Sequence, residues 1–113
     1  MPQLLRDVLA GQFKTLAHPA RLRLLSILLT RPDLEACTCE LTEPLGLTQP
    51  TLTHHLQRLR AAGLVTSQRR GVWTYYRAAP QTLYGLAAVL TPGGLDSSVE
   101  LTSRGGGRLP CTW

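Results

Sequence analysis

"CELTEPLGLTQPTLTHHLQRLRAAG", residues 39–63, decides the fold. A short helical segment ends near Leu45. Gly46 then supplies a residue that takes the left-handed turn conformation without a Cβ penalty, and Leu47 plugs the turn with an apolar side chain. Thr48 has the side chain of an N-cap, Pro50 suits a first helical turn whose amides have no partner, and Gly63 closes the second helix after Ala62. Leu52, Leu56 and Leu59 fall on one face. Gln49, Thr51, Thr53, His54, Gln57, Arg58 and Arg60 lie mostly off it, whereas His55 flanks the leucines and reads as a structural histidine. Two helices joined by a tight glycine turn, the second with a hydrogen-bonding outer face, make a helix-turn-helix pattern.

The flanks complete a larger unit. Upstream, Leu4, Leu5, Val8, Leu9, Phe13 and Leu16 recur at helical spacing through about Ala17. A second helix starts at Pro19, carries Leu22, Leu25, Ile27, Leu28 and Leu29, and stops at Pro32. Downstream, "LVTSQRRGVWTYYRA" switches to β-branched and aromatic residues around Gly71, a hairpin that forms the wing of a winged helix. Pro80 opens a last helix with Leu83, Leu86, Ala87, Val89 and Leu90 on its apolar side. The expected fold is mainly α with a small β-hairpin: a winged helix-turn-helix in the order α-α-α-α-β-β-α. Residues 1–92 form the DNA-binding and dimerisation domain, and the glycine-rich 93–113 a flexible tail.

Charge is sorted along the chain. Twelve basic residues face seven acidic ones, a formal +5. No acid lies between Glu43 and Asp96, an interval that holds Arg58, Arg60, Arg69, Arg70 and Arg77. Asp33, Glu35, Glu40 and Glu43 instead crowd the cysteine pair Cys37 and Cys39. A polyanionic partner suits the basic half. Gln49, Thr51, Thr53, His54 and Gln57 match base edges and nearby phosphates of double-stranded DNA, while Arg58, Arg69 and Arg70 match phosphates or the minor groove. No apolar run reaches membrane-span length and no secretory leader is evident, so the expected location is the cytoplasm, with no membrane partner. The chain has no phosphate-cradling glycine loop, no C-x-x-C, and no histidine that the sequence places beside the cysteines, which argues against an enzyme.

Cys37 and Cys39 are two residues apart, about 200° of rotation on an ideal helix, so only an irregular backbone would bring their thiols together. Pro44 lacks the amide that would bond the Glu40 carbonyl, which leaves this stretch easy to distort. Two thiolates suit a soft ion. Glu35 and Glu40 are expected to raise the thiol pKa values and favour a cation that displaces protons.

"FKTLAHPARLRLLSILL", the cysteine pair followed by "EL", "GLTQPTLTHHLQRLRAAGLV" and "GVWTYYR" together resemble the ArsR/SmtB family of winged-helix metal-sensing repressors, over roughly residues 4–91. The resemblance implies a homodimer joined through the first and last helices that releases operator DNA on binding metal, with Gln49, Thr51, Thr53 and His54 at the DNA-reading positions. It also implies the inducer. "CTCEL" is similar to arsenite and antimonite sensors, although Thr42 stands where their third cysteine lies. Cys111, about twenty flexible residues beyond the last helix, has the reach to be that ligand. Another soft metal (cadmium, lead or zinc) and thiol redox sensing are the alternatives.

Overall fold

The computed structural model describes residues 1–93. Five helices, α1 (Gln3–Leu16), α2 (Pro19–Leu29), α3 (Thr42–Leu45), α4 (Gln49–Ala61) and α5 (Pro80–Val89), pack with three strands, β1 (Glu35–Cys37), β2 (Val65–Arg70) and β3 (Trp73–Ala78). A 3-10 turn, Thr38–Glu40, links β1 to α3. This is the expected winged helix-turn-helix with one addition, since the wing hairpin gains β1 on its β3 edge. Both pairings are antiparallel, with Cys37 opposite Tyr75, and Tyr75 opposite Gln68. The expected pair of strands is therefore a sheet of three. A strand of three residues is too short to show a period, and its partner is about forty residues away.

Local chemistry accounts for the junctions. His18 caps α2, its Nδ1 accepting from the Ala20 amide at 3.1 Å, with Pro19 in the first turn. Gly46 (φ 66°) makes the left-handed turn between α3 and α4, and Gly63 (φ 78°) follows α4. Thr48 occupies the N-cap of α4 without capping a backbone amide: its hydroxyl donates to Thr51 Oγ1 at 3.1 Å. Pro50, at the second helical position, has no amide to offer it.

The core is built from the middle of the chain. Leu24 and Leu28 of α2, Leu41, the α4 residues Leu52, Leu56 and Leu59, and Leu64 and Val65 are fully buried, with Ala36, Tyr76 and Ala78 closing it from the sheet. The terminal helices leave much of their apolar faces open. Of the apolar residues assigned to α1 only Leu9 is buried, and of those on α5 only Leu86; Leu4 is 75% exposed, Tyr84 74% and Leu90 73%. On α2, Leu22 and Leu29 also face outward. Phe13, Leu16, Leu83 and Val89 pack partly buried against the core, but among the described residues nothing covers the rest of those faces.

Candidate functional site

α4 is anchored on one side and open on the other. Leu52, His55, Leu56 and Leu59 are buried. Gln49, Thr51, His54, Gln57 and Arg58 are exposed, and Thr53 is half-buried. At about 100° per residue these six do not share one line. His54 and Gln57 lie along the outermost row, Gln49 and Thr53 on one flank, Thr51 and Arg58 on the other. Arg58 lines a cleft of about 520 Å³ with Lys14, Gln12 and Arg21, on the side toward α1. Gln12 Nε2 donates to the Ala62 carbonyl at 3.0 Å, which ties α1 to the end of α4.

His55 fixes the inner side of α4. Its Nδ1 accepts from Arg21 Nε at 3.2 Å, and Arg21 Nη1 donates to the Thr15 carbonyl. The His18 ring lies 4.6 Å away and the His54 ring 5.7 Å. Burial pushes the His55 pKa below the ordinary histidine value, and the charges of His18, Arg21 and His54 push the same way.

The wing turns at Gly71 (φ 65°) and Val72, between the paired Arg70 and Trp73. Arg69 and Arg70, expected together at the tip facing a phosphate backbone, diverge. Arg69 Nε donates to the Gly71 carbonyl at 3.2 Å, so that side chain stays at the tip. Arg70 folds back along the sheet: its guanidinium lies 4.4 Å from the Tyr75 ring centre and donates to Gln68 Oε1 at 2.8 Å. Its Nη2 also reaches both Glu35 oxygens, at 3.0 and 2.8 Å. The pairing arises because Glu35, Tyr75, Gln68 and Arg70 share the sheet face away from the core. Arg77, directly opposite Glu35, donates instead to the Asp33 carbonyl.

The thiols do meet, through the irregular backbone that their spacing requires. Cys37 ends β1 and is 2% exposed; Cys39 sits in the 3-10 turn and is exposed. Their sulfurs are 2.7 Å apart, with Cys39 donating, and Cys37 Sγ also accepts from the Cys39 amide at 3.4 Å. Glu40 Oε1 accepts from the Cys37 amide at 2.8 Å, and Arg31 lies 3.6 Å from its other oxygen. The Cys39 pKa is raised, first by its hydrogen bond to Cys37, then by desolvation and by the charges of Cys37 and Glu40. Glu35, expected to share in that effect, is turned toward Arg70 instead. Among the described residues no cluster of three or more His, Cys, Asp or Glu side chains is placed to hold a metal ion. Cys111 falls outside the described residues. The donor set thus fits a thiophilic ligand that two sulfurs can hold, with further coordination supplied from elsewhere.

Local sequence pattern gives no sign of Glu35 and Tyr75 as partners of Arg70. The signal lay in the strand register, which no local pattern reports. Among the described residues no helix is long and apolar enough to cross a membrane.

Residues 18–67, from the α2 cap into β2, match the family model described as "Bacterial regulatory protein, arsR family". The arsenic resistance transcriptional regulator ArsR1 of Pseudomonas putida is 41% identical over 91 residues, covering 80% of this chain and 69% of that one. The arsenical resistance operon repressor of Bacillus subtilis is 37% identical over 75 residues, 66% of this chain and 70% of that one. Among solved structures, the homodimeric winged helix-turn-helix DNA-binding domain of a possible ArsR-family transcriptional regulator from Mycobacterium bovis superposes with a TM-score of 0.64 at 30% identity. That match covers 82% of this chain and 86% of the other. Fold, helix-turn-helix and relatives agree: the chain belongs to the ArsR family of DNA-binding transcriptional regulators, which are not enzymes.

Proposed function

We propose that the chain is a repressor that binds operator DNA as a homodimer and releases it when Cys37 and Cys39 take up trivalent arsenic or antimony. The observation that carries this reading is the meeting of two sulfurs at 2.7 Å beside the first helix of the helix-turn-helix. The arsenic-resistance regulators among its relatives support the inducer class. Trivalent arsenic hydroxide condenses with protonated thiols and releases water, whereas a divalent soft cation must displace thiol protons. The arsenic-resistance regulators among the relatives favour the metalloid over cadmium, lead or zinc.

DNA recognition is assigned to α4 and the wing. His54 and Gln57 face base edges, Gln49, Thr51 and Thr53 read from the flanks, and Arg58 and Arg69 meet phosphates. The dimer forms through α1 and α5. Their exposed leucines, with Tyr84, are uncovered among the described residues, and the Mycobacterium bovis neighbour is homodimeric.

Titration of a duplex from the chain's own upstream region with arsenite, antimonite, cadmium and zinc, with reductant present, tests this reading. Arsenite or antimonite releases DNA at the lowest concentration, and Cys37→Ser and Cys39→Ser each hold DNA but ignore both. Undiminished release from the serine variants rejects the site. Arsenite affinity stays level from about pH 6 to 8 while cadmium affinity climbs; equal slopes reject the preference for the metalloid. Release that requires oxidant instead of arsenite establishes the redox reading.

A further inference from the structure

One set of contacts joins the thiol segment to the wing, and neither base reading nor thiol chemistry uses it. Cys37 is the β1 residue opposite Tyr75, and the Tyr75 ring carries the Arg70 guanidinium 4.4 Å from its centre. Arg70 in turn reaches both oxygens of Glu35, two residues before Cys37. The path is closed: Cys37 to Tyr75 by strand pairing, Tyr75 to Arg70 by stacking, Arg70 to Glu35 by charge, and Glu35 back to Cys37 along β1. The Glu35 side chain is only 16% exposed, against 47% for Arg70, so the carboxylate is the fixed partner and the arginine the movable one. Gln68 Oε1 takes a further hydrogen bond from Arg70 at 2.8 Å.

We infer that Glu35 and Arg70 are positioning residues that couple the thiol pair to the wing: the ion pair fixes the angle of the wing against β1, so rearranging Cys37 and Cys39 changes how the wing meets DNA. The inference rests on the thiol pair being the inducer site. It follows because β1 has only three residues and no room to absorb a change at Cys37 before Glu35. A coupling of this kind is a difference between two DNA affinities, loaded and unloaded, and a residue that carries it alters their ratio.

The probe is phenylarsine oxide, a trivalent arsenical that condenses with two neighbouring thiols and releases one water. Three quantities are measured on the full chain carrying Trp113→Phe, which leaves Trp73 on the wing as the one tryptophan: uptake of the probe, DNA affinity with and without it, and Trp73 emission. In the Trp113→Phe parent, loading weakens DNA binding and shifts the emission. In Glu35→Gln and Arg70→Met, uptake and thermal midpoint match the parent, while the loaded-to-unloaded affinity ratio shrinks about threefold and the emission shift falls with it. The double variant is no worse than either single one, and Arg70→Lys, which keeps the charge, retains most of the coupling. Taking the ratio cancels any direct phosphate contact that Arg70 makes. An unchanged ratio in Glu35→Gln and Arg70→Met, with probe bound, overturns the latch and leaves the thiol site standing. Failure of the parent to take up the probe overturns both.

Discussion

Helix α4 and the thiol segment lie next to each other in sequence and are held by different means. α4 sinks four consecutive-turn side chains, Leu52, His55, Leu56 and Leu59, into the core and shows a polar face that does not need to move. The β1 and 3-10 segment is held by three strand pairs, a Glu40 carboxylate on one amide, and a sulfur accepting from another. The first is a platform whose rigidity comes from apolar burial. The second adds to the buried Ala36, Cys37 and Thr38 a set of polar contacts, each worth about 1 kcal/mol, that a ligand on the sulfurs can exchange for others. On the function proposed above, a sensor needs both kinds of construction, and here they meet at α3.

The comparison breaks most visibly in the core. Leu56→Ala removes a side chain that is fully buried in α4 and is expected to cost about 2–5 kcal/mol in denaturant unfolding. A loss below about 1 kcal/mol makes α4 no more a platform than the thiol segment. Next come the sulfurs themselves. Cys39→Ser leaves unfolding almost unchanged because the residue is exposed, whereas Cys37→Ser places a hydroxyl in a buried position and costs about 1–2 kcal/mol. Equal costs remove the distinction between an outer and an inner sulfur.

Acid sharpens the contrast. The folded-state pKa of His55 lies below its unfolded value, so the unfolded chain binds the proton more readily. The stabilisation is fully present above the ordinary histidine range and is lost as pH falls through it toward the lowered value. Thermal midpoints drop between about pH 7 and pH 5, and His55→Gln flattens that drop. A variant that follows the parent curve assigns the acid sensitivity to other groups. The smallest effect belongs to the wing. Arg69→Ala lowers the salt slope of DNA binding by about 1 per protomer, and Arg70→Ala by less, because Arg70 already has a carboxylate. Equal slopes place both arginines on phosphate.

Much of this molecule was legible in its sequence because the relevant signals are local. Gly46 and Gly63 take the positive φ that their positions between helices and strands require, and the leucines of α4 bury as their spacing predicts. His55 proves structural for the reason that its place beside Leu52 and Leu59 suggested. What the sequence withheld depends on distance. β1 becomes a strand only because β3 lies beside it, and Arg70 leaves the tip only because strand register brings Glu35 within reach. Thr48 stands at the N-cap as its position predicts, but its hydroxyl caps no amide, for a local reason: Pro50 takes away one of the amides that an N-cap serves, and Thr51 offers an oxygen. At the thiol pair, the spacing required an irregular backbone, but a strand end followed by a 3-10 turn is one of several that would do.

The terminal helices each bury one residue of their apolar stripe, Leu9 on α1 and Leu86 on α5, and two more in part against their own protomer. If a second copy covers the rest, folding becomes a matter of mass action. Each tenfold dilution then removes about 1.4 kcal/mol from the apparent stability of the pair, and the melting temperature rises with concentration. A regulator made in few copies works near the dilute end of that scale. There, an operator that grips two protomers at once acts as a folding ligand, and a repressor that lets go of DNA is also a repressor closer to coming apart.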